Sequence, residues 1–322
     1  MKILFCGETF PQASQMLKSL LPQEEILACP FDKVIEVGQK VNVLVPLMHR
    51  LEPELIQSTD AGLIHQWGVG LEGVDIPAAT SRGILVCNVP GDATANADST
   101  AEHAVFLMLG GARRIHECFR AFHENTWGAP LGEALFGKRA LIVGLGMVGK
   151  ALARRLTGLG MLVEAIRRTP NPNVEQELGV VSAGSPSQLI ELASQADFVV
   201  SALSLNDETR GMFDRELFRS MKPTAVFVNV SRGPVVNEQD LLEALHKGTI
   251  AGAGLDVYCQ EPLDPSHPFL SMENVVATPH VAGTTRQNYE GISRIMADNI
   301  RMFKQGKVPL FCVNKDDLFP CS

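Results

Sequence analysis

A chain of 322 residues, 45% hydrophobic, 6% aromatic and 20% charged, is longer than one ordinary domain, so two globular domains are expected. Its formal net charge of −8 at pH 7 argues against nucleic acid or an anionic membrane as a partner, and leaves local arginines to attract any anionic substrate. No apolar run approaches the roughly 18 residues that cross a bilayer, and MKILFCG reads as a strand rather than a secretion signal, so a cytoplasmic protein is expected. The seven cysteines (Cys6, Cys29, Cys87, Cys118, Cys259, Cys312 and Cys321) form no C-x-x-C pair and no metal-ligand spacing. Several lie in apolar runs, which predicts buried reduced thiols rather than disulfides or zinc, and no metal is required.

In chain order, residues 1–97 hold four strand-like runs, KILFCG, VNVLVPL, AGLIHQW and GILVCN, separated by amphipathic stretches such as ASQMLKSLL. This is a flavodoxin-like α/β alternation. Ser99-Thr100-Ala101-Glu102 fits a capping box, and AEHAVFLMLGGARRIHECFRAF then reads as one long helix, the expected hinge. The apolar run Ala140–Val143 leads into Gly144-Leu145-Gly146-Met147-Val148-Gly149, a helical stretch KALARRLTGLG and a second apolar run, Met161–Ile166. In such a unit the first glycine permits the tight turn, the second lets backbone approach a pyrophosphate, and the third lets helix and strand pack closely. The helix amino terminus adds N–H groups and a positive dipole end for the phosphates. Residues 98–284 are therefore expected to form a Rossmann dinucleotide domain. The tail RQNYEGISRIMADNIRMFKQG has helical periodicity and should return to the first domain, making the substrate domain discontinuous, 1–97 and 285–322. The expected fold is α/β, with two doubly wound parallel-sheet domains.

Three polar residues follow apolar runs in the last third of the chain: Arg232 after AVFVNVS, Glu261 in GLDVYCQEP and His280 after NVVATP. Singly, each has an ordinary reading as a solvated charge, a loop residue or a packed histidine. In an open parallel sheet, however, residues just past the carboxyl ends of strands converge on the ligand crevice. An arginine holds a carboxylate bidentately, a histidine passes a proton near neutral pH, and a glutamate orients and charges the histidine. That set suits reduction of the carbonyl of an anion.

Several segments carry a resemblance to the D-isomer-specific 2-hydroxyacid dehydrogenase family, glyoxylate/hydroxypyruvate reductase-like, over nearly the whole chain. They are Trp67-Gly68-Val69-Gly70-Leu71-Glu72-Gly73-Val74-Asp75 with the following PAATSRGILVCNVPG, then Ser99-Thr100-Ala101-Glu102-His103, and above all MKPTAVFVNVSRGPVVNEQDLLEALHKGTIAGAGLDVYCQEPL with ATPHVAGTT. The resemblance implies an NAD(P)-dependent enzyme in which Arg232, Glu261 and His280 are catalytic. Arg232 would bind the substrate carboxylate and polarise the carbonyl, with backbone N–H groups around Val69 and Gly70 helping. His280, as imidazolium, would protonate the carbonyl oxygen, and Glu261 would accept a hydrogen bond from its other ring nitrogen. Gly144, Gly146, Met147, Val148, Gly149, Leu203, Val230 and Gly283 fall at cofactor-binding positions. Asp256 resembles the ligand of the nicotinamide carboxamide, although a strand-end aspartate equally caps a turn. A homodimer and a small 2-keto or 2-hydroxy acid substrate are implied.

The chain departs from the family where an acidic residue often binds the adenosine ribose, because that position holds Arg167, followed by Arg168 and Thr169. Glu164 sits three residues early, within the strand, and reads as structural. An arginine pair beside a hydroxyl suits a 2′-phosphate, so NADP(H) is favoured over NAD(H), the ordinary alternative being that both arginines are exposed charges. Formate dehydrogenases resemble a pattern with glutamine at Glu261, and phosphite-oxidising relatives carry a lysine in the loop Gly68–Gly73, where none occurs here. Two alternatives remain: an NAD(H)-sensing corepressor-like protein on the same scaffold, and a dehydrogenase of another acid such as phosphoglycerate. Met48, His49, Arg50 and Trp67 are expected to wall the substrate pocket. An inward Trp67 would favour small acids such as glyoxylate or hydroxypyruvate.

Overall fold

Strands β1 (Lys2–Phe5), β2 (Glu25–Ala28), β3 (Val43–Val45), β4 (Leu63–His65) and β5 (Leu85–Cys87) form one sheet in the order β2-β1-β3-β4-β5, every pair parallel. The molecule is described by a computed structural model covering residues 1–169 and 171–319. A parallel sheet is covered on both faces, so its strands read as unbroken apolar runs. On one face Ile3, Phe5, Val43, Val45 and Leu63 pack with Leu17, Met296 and Ile300 of the helices Pro11–Leu20 and Arg286–Lys304. On the other, Leu4, Leu44, Ile64 and Val86 meet Leu55, Ile56 and Ala79. The strand order is that of flavodoxin-like sheets. β2 was not among the four expected strands. It is an edge strand whose four residues are all at least partly accessible, so Glu25-Ile26-Leu27-Ala28 carries little apolar signal.

A second sheet contains β6 (Arg139–Val143), β7 (Leu162–Ile166), β8 (Ser182–Gly184), β9 (Phe198–Ser201), β10 (Val226–Asn229), β11 (Gly252–Leu255) and β12 (Val275–Ala277). Its order is β12-β11-β10-β9-β6-β7-β8, again wholly parallel. Strand order reverses between β6 and β9, the topological switch point at which doubly wound sheets bind nucleotides. The helix Asn96–Ala112 lies tightly on this sheet through small residues. A Cβ on Gly110 or Gly111 would stand 3.1 or 3.0 Å from Val276 or Val226, and one on Gly254 2.7 Å from Leu107. The chain divides into two units, Met1–Ala95 with Thr285–Ser322 and Asn96–Thr284.

Two local expectations are corrected. The helix begins at Asn96, so Ser99 and Thr100 are buried inside it rather than capping it, and Glu102 ion-pairs with Arg155 at 2.9 Å. The expected single long helix is two, because Arg114 adopts a left-handed φ of 53° and a new helix runs Ile115–His123. Adjacent Gly110 and Gly111 lower helix propensity just before the break, and the Arg114 guanidinium pairs with Glu117 at 2.6 Å in the following turn.

Cys6, Cys29, Cys87 and Cys312 are buried, Cys118 is half-buried and Cys259 exposed, all with free thiols. Cys321 lies outside the described residues. Among the described residues no helix is long and apolar enough to cross a membrane, and no His/Cys/Asp/Glu group is placed to hold a metal ion.

Candidate active site

The glycine-rich turn follows β6 at the switch point. Gly144 has φ 103°, and a Cβ there would lie 2.6 Å from the Ala202 carbonyl oxygen just past β9. Gly149 packs the helix Met147–Gly158 against the turn, since its Cβ would stand 2.0 Å from Gly144 O. Gly146 has nothing within 4 Å of a Cβ position, and no side chain caps the helix. The turn thus offers open backbone and an uncapped helix amino terminus, which fits a pyrophosphate. Met147 is exposed, Val148 is partly buried against the core beneath, and Leu203 and Val230 follow the ends of β9 and β10.

Beyond β7, Arg167 is half-buried and its Nη1 lies 3.9 Å from Glu175 Oε1, too far for a hydrogen bond. Arg168 donates to Glu208 Oε2 at 2.9 Å with both side chains about three-quarters exposed. Thr169 is exposed. Glu164 is buried within β7, accepting from Ser182 Oγ at 3.0 Å, so it does not face the end of the strand.

The structure brings the last-third residues to the carboxyl ends of adjacent strands. Arg232 follows β10 in a turn held by polar contacts: Ser231 Oγ donates to Asn229 Oδ1 at 2.8 Å, and Asn229 Nδ2 to Arg232 O at 3.0 Å. Gly233 then abuts the loop after β11, where its Cβ would fall 1.9 Å from the Tyr258 carbonyl. In that loop the Tyr258 N–H donates to Glu261 Oε1 at 2.8 Å, and the other carboxylate oxygen, Oε2, meets His280 Nδ1 at 2.7 Å. A carboxylate only accepts, so Nδ1 carries the hydrogen and Nε2 is the nitrogen left for proton exchange.

His280 stands past β12 in a left-handed conformation, φ 53°. Asp256, fully buried at the end of β11, holds it there. The Asp256 carbonyl accepts the His280 N–H at 2.9 Å, and its carboxylate accepts Thr278 Oγ1 (2.6 Å), Val281 N–H (2.9 Å) and Ala282 N–H (2.8 Å). Burial pushes the Asp256 carboxyl up, but hydrogen bonds from His103, Thr278 and the two backbone N–H groups outweigh it and hold the group below the usual range. His103 Nε2 also meets Thr278 Oγ1 at 2.9 Å. The Tyr258 hydroxyl lies 2.9 Å from Thr278 O, and burial pushes that phenol up, keeping it a neutral donor. Neither Tyr258 nor His103, the latter in the Ser99–His103 segment, has a site role legible in the sequence. Tyr258 ties the Glu261 loop to the His280 loop, and its only sequence signal is its place three residues before Glu261.

In the first unit, Val69 and Gly70 follow β4 in a loop fixed by its carbonyls. Asn88 Nδ2 donates to Val69 O and Gln66 Nε2 to Gly70 O, each at 2.7 Å. Trp67 turns into that unit's own core, tilted at 6.0 Å from Phe5 and edge-on at 5.5 Å to Tyr289. The inward Trp67 that would have argued for small acids is therefore accounted for by core packing. His49 stacks on Phe31 at 4.2 Å, with its pKa pushed down by burial, whereas Met48 and Arg50 are exposed.

Residues 105–282 match the family profile described as D-isomer specific 2-hydroxyacid dehydrogenase, NAD binding domain. The glyoxylate reductase of Korarchaeum cryptofilum is 39% identical over 294 residues, covering 88% of this chain and 86% of its own. That of Pyrococcus furiosus is 36% identical over 304 residues, covering 91% and 88%. Among solved structures, the NADPH-dependent glyoxylate/hydroxypyruvate reductase of Sinorhizobium meliloti superposes with a TM-score of 0.81 at 28% identity, covering 97% of this chain and 96% of its own. The D-lactate dehydrogenase of Escherichia coli superposes with a TM-score of 0.84 at 25% identity, covering 97% and 99%. The chain belongs to the D-isomer-specific 2-hydroxyacid dehydrogenases. It is an NAD(P)-dependent oxidoreductase whose substrate is a small 2-keto or 2-hydroxy acid.

Proposed function

We propose that this enzyme reduces glyoxylate, or a similarly small 2-keto acid such as hydroxypyruvate, with NADPH preferred over NADH. The observation that carries the reading is the Glu261–His280 pair at 2.7 Å, set at strand ends beside the Arg232 turn on the same sheet as the glycine-rich turn. Relatives named glyoxylate reductase support the substrate. Unit Asn96–Thr284 is the dinucleotide domain in this reading, and the first unit carries the substrate loop.

A nicotinamide cofactor, when bound, would supply the hydride. Arg232 binds the substrate carboxylate with its planar fork and draws electron density from the neighbouring carbonyl. His280 holds a proton at Nε2 and gives it to the carbonyl oxygen as that oxygen gains charge, so the hydroxy acid leaves neutral at that position. Glu261 aligns the ring through Nδ1 and stabilises the imidazolium. Val69 and Gly70 bind substrate through backbone N–H groups, in a loop whose glycines allow close approach. Gly144, Gly146, Met147, Val148 and Gly149 hold the pyrophosphate, and Leu203, Val230 and Gly283 border the rest of the cofactor. Asp256 acts mainly by fixing the His280 loop, since its carboxylate is already occupied by Thr278, Val281 and Ala282, and the carboxamide contact is secondary.

The cofactor preference rests on Arg167, Arg168 and Thr169 at the end of β7, where an arginine stands at the ribose position in place of an acidic residue; the nearby carboxylates, Glu175 and Glu208, lie beside the two guanidinium groups. The Arg168–Glu208 pair is exposed and worth at most about 1 kcal/mol, so a phosphate can displace it. A charge-assisted hydrogen bond contributes about 1.5–3 kcal/mol, so one contact gives roughly tenfold preference or more. Arg167→Asp should therefore shift the kcat/KM ratio at least tenfold toward NADH. An unchanged ratio in that variant would mean that Arg167 does not contact the cofactor.

The enzyme is further proposed to be a homodimer. Phe119, Phe122, Trp127, Leu131 and Phe136 are 59%, 70%, 79%, 89% and 78% exposed within one short stretch, and a concentration of large exposed apolar side chains marks an interaction surface. Sedimentation should give twice the chain mass, and Leu131→Glu should raise the monomer fraction. A wild-type monomer at micromolar concentration would contradict this.

A further inference from the structure

Cys87 closes β5, and the chain's last segment runs beside it. Val313 N–H donates to Val86 O at 2.8 Å, Asn314 Oδ1 accepts the Val86 N–H at 2.9 Å, and Cys87 and Cys312 form an isolated antiparallel bridge. The Val313–Val86 bond lies one residue outside the bridge. Cys87 and Cys312 thus face each other at a non-hydrogen-bonded position, where Cα atoms stand about 4.5 Å apart and side chains share one face. That separation is inside the window a disulfide requires, about 4.4–6.8 Å. Both thiols belong to the first unit's core cluster, Cys87 fully buried and Cys312 7% exposed, and Phe311 and Val313 on either side of Cys312 are exposed.

We propose that Cys87 and Cys312 form an oxidative modification site at which a hydroperoxide produces an intramolecular disulfide fastening the C-terminal segment to β5. Cys312, 7% exposed between the exposed Phe311 and Val313, is the thiol a hydroperoxide can reach, whereas Cys87 is fully buried; the hydrogen bond between them lowers Cys312, while that same bond and burial push Cys87 up. Cys312 is accordingly the attacking thiolate. Its sulfur attacks one oxygen of hydrogen peroxide, the O–O bond breaks, and the departing hydroxide takes a proton to leave as water, giving a sulfenic acid. Cys87 Sγ then attacks Cys312 Sγ. The S–O bond breaks, and the thiol proton leaves with that hydroxyl as a second water. Two thiols lose two electrons and one peroxide gains them. The other close pair, Cys6 and Cys29 beyond the ends of β1 and β2, is unsuited to this chemistry, because burial pushes Cys6 up to about 12 and Cys29 upward as well.

The test is peptide mapping of the full chain after treatment with hydrogen peroxide and alkylation without reductant. The expected product is a cross-linked peptide pair carrying Cys87 and Cys312, lighter by two hydrogens and restored by dithiothreitol, in a protein whose Tm has risen by a few degrees. Cys87→Ala should leave Cys312 as a sulfenic acid captured by dimedone, and Cys312→Ser should lose the cross-link while keeping reductase turnover, which shows that it is folded. Linkage of Cys6 to Cys29 or of either proposed partner to Cys321 would overturn the assignment. So would oxidation of Cys312 to sulfinic acid with Cys87 still alkylatable, or full alkylation of both after peroxide.

Discussion

Replacing His280 with alanine should lower kcat for 2-keto acid reduction by about 10² to 10⁴, the share general acid catalysis usually carries, while cofactor affinity changes little. The His280 ring is anchored at Nδ1 by Glu261 and its backbone by Asp256, so a small replacement removes the proton donor without releasing the loop. Glu261→Gln removes the charge and one acceptor together, because the single amide oxygen can accept from His280 Nδ1 or from the Tyr258 N–H but not from both. Its kcat should fall by about tenfold or more, the loss of a charge-assisted hydrogen bond, while cofactor affinity changes little. Stopped-flow and steady-state rates of both variants check this pair. A Glu261→Gln kcat equal to wild type would remove Glu261 from the acid–base role.

Arg232→Lys should be nearly as damaging despite its conserved charge. A lysine ammonium cannot reproduce the two parallel bonds of a guanidinium to a carboxylate. Loss of one to two charge-assisted bonds, at about 1.5–3 kcal/mol each, corresponds to a fall in kcat/KM on the order of 10². Arg232 Nη1 also donates to Ser231 O at 2.8 Å, but the contacts between Ser231 and Asn229 and from Asn229 to the Arg232 carbonyl do not involve the guanidinium, so the variant should keep the turn. Retention of most of the wild-type kcat/KM for glyoxylate would show that the carboxylate is held elsewhere.

The parts of the fold legible in the sequence were those set by local pattern. The β6–turn–helix unit announces itself because each glycine answers a separate need, and the structure displays the steric ones at Gly144 and Gly149, while a Cβ at Gly146 would meet open space. Arg232, Glu261 and His280 could be grouped before any coordinates because residues past the ends of parallel strands share one sheet edge. What escaped the sequence depends on tertiary context. β2 is too exposed to look like a strand, and the break at Arg114 is a single left-handed residue, the preceding Gly110 and Gly111 weakening the helix without marking where it breaks. The helix preceding the nucleotide unit starts at Asn96, ahead of the apparent capping box. The links that join the candidate site, Glu261 to His280, the Tyr258 hydroxyl to Thr278 O and the Asp256 carboxylate to the His280 loop, span loops after different strands. No spacing rule foretells them.

Initial-rate measurement of coenzyme oxidation by the wild-type enzyme with glyoxylate, using NADPH and NADH in parallel, tests the reductase activity most directly. The predicted result is saturable turnover with kcat/KM for NADPH at least tenfold above that for NADH. Tight cofactor binding with negligible turnover on glyoxylate and hydroxypyruvate would contradict a reductase and favour a nicotinamide-sensing role for the same scaffold.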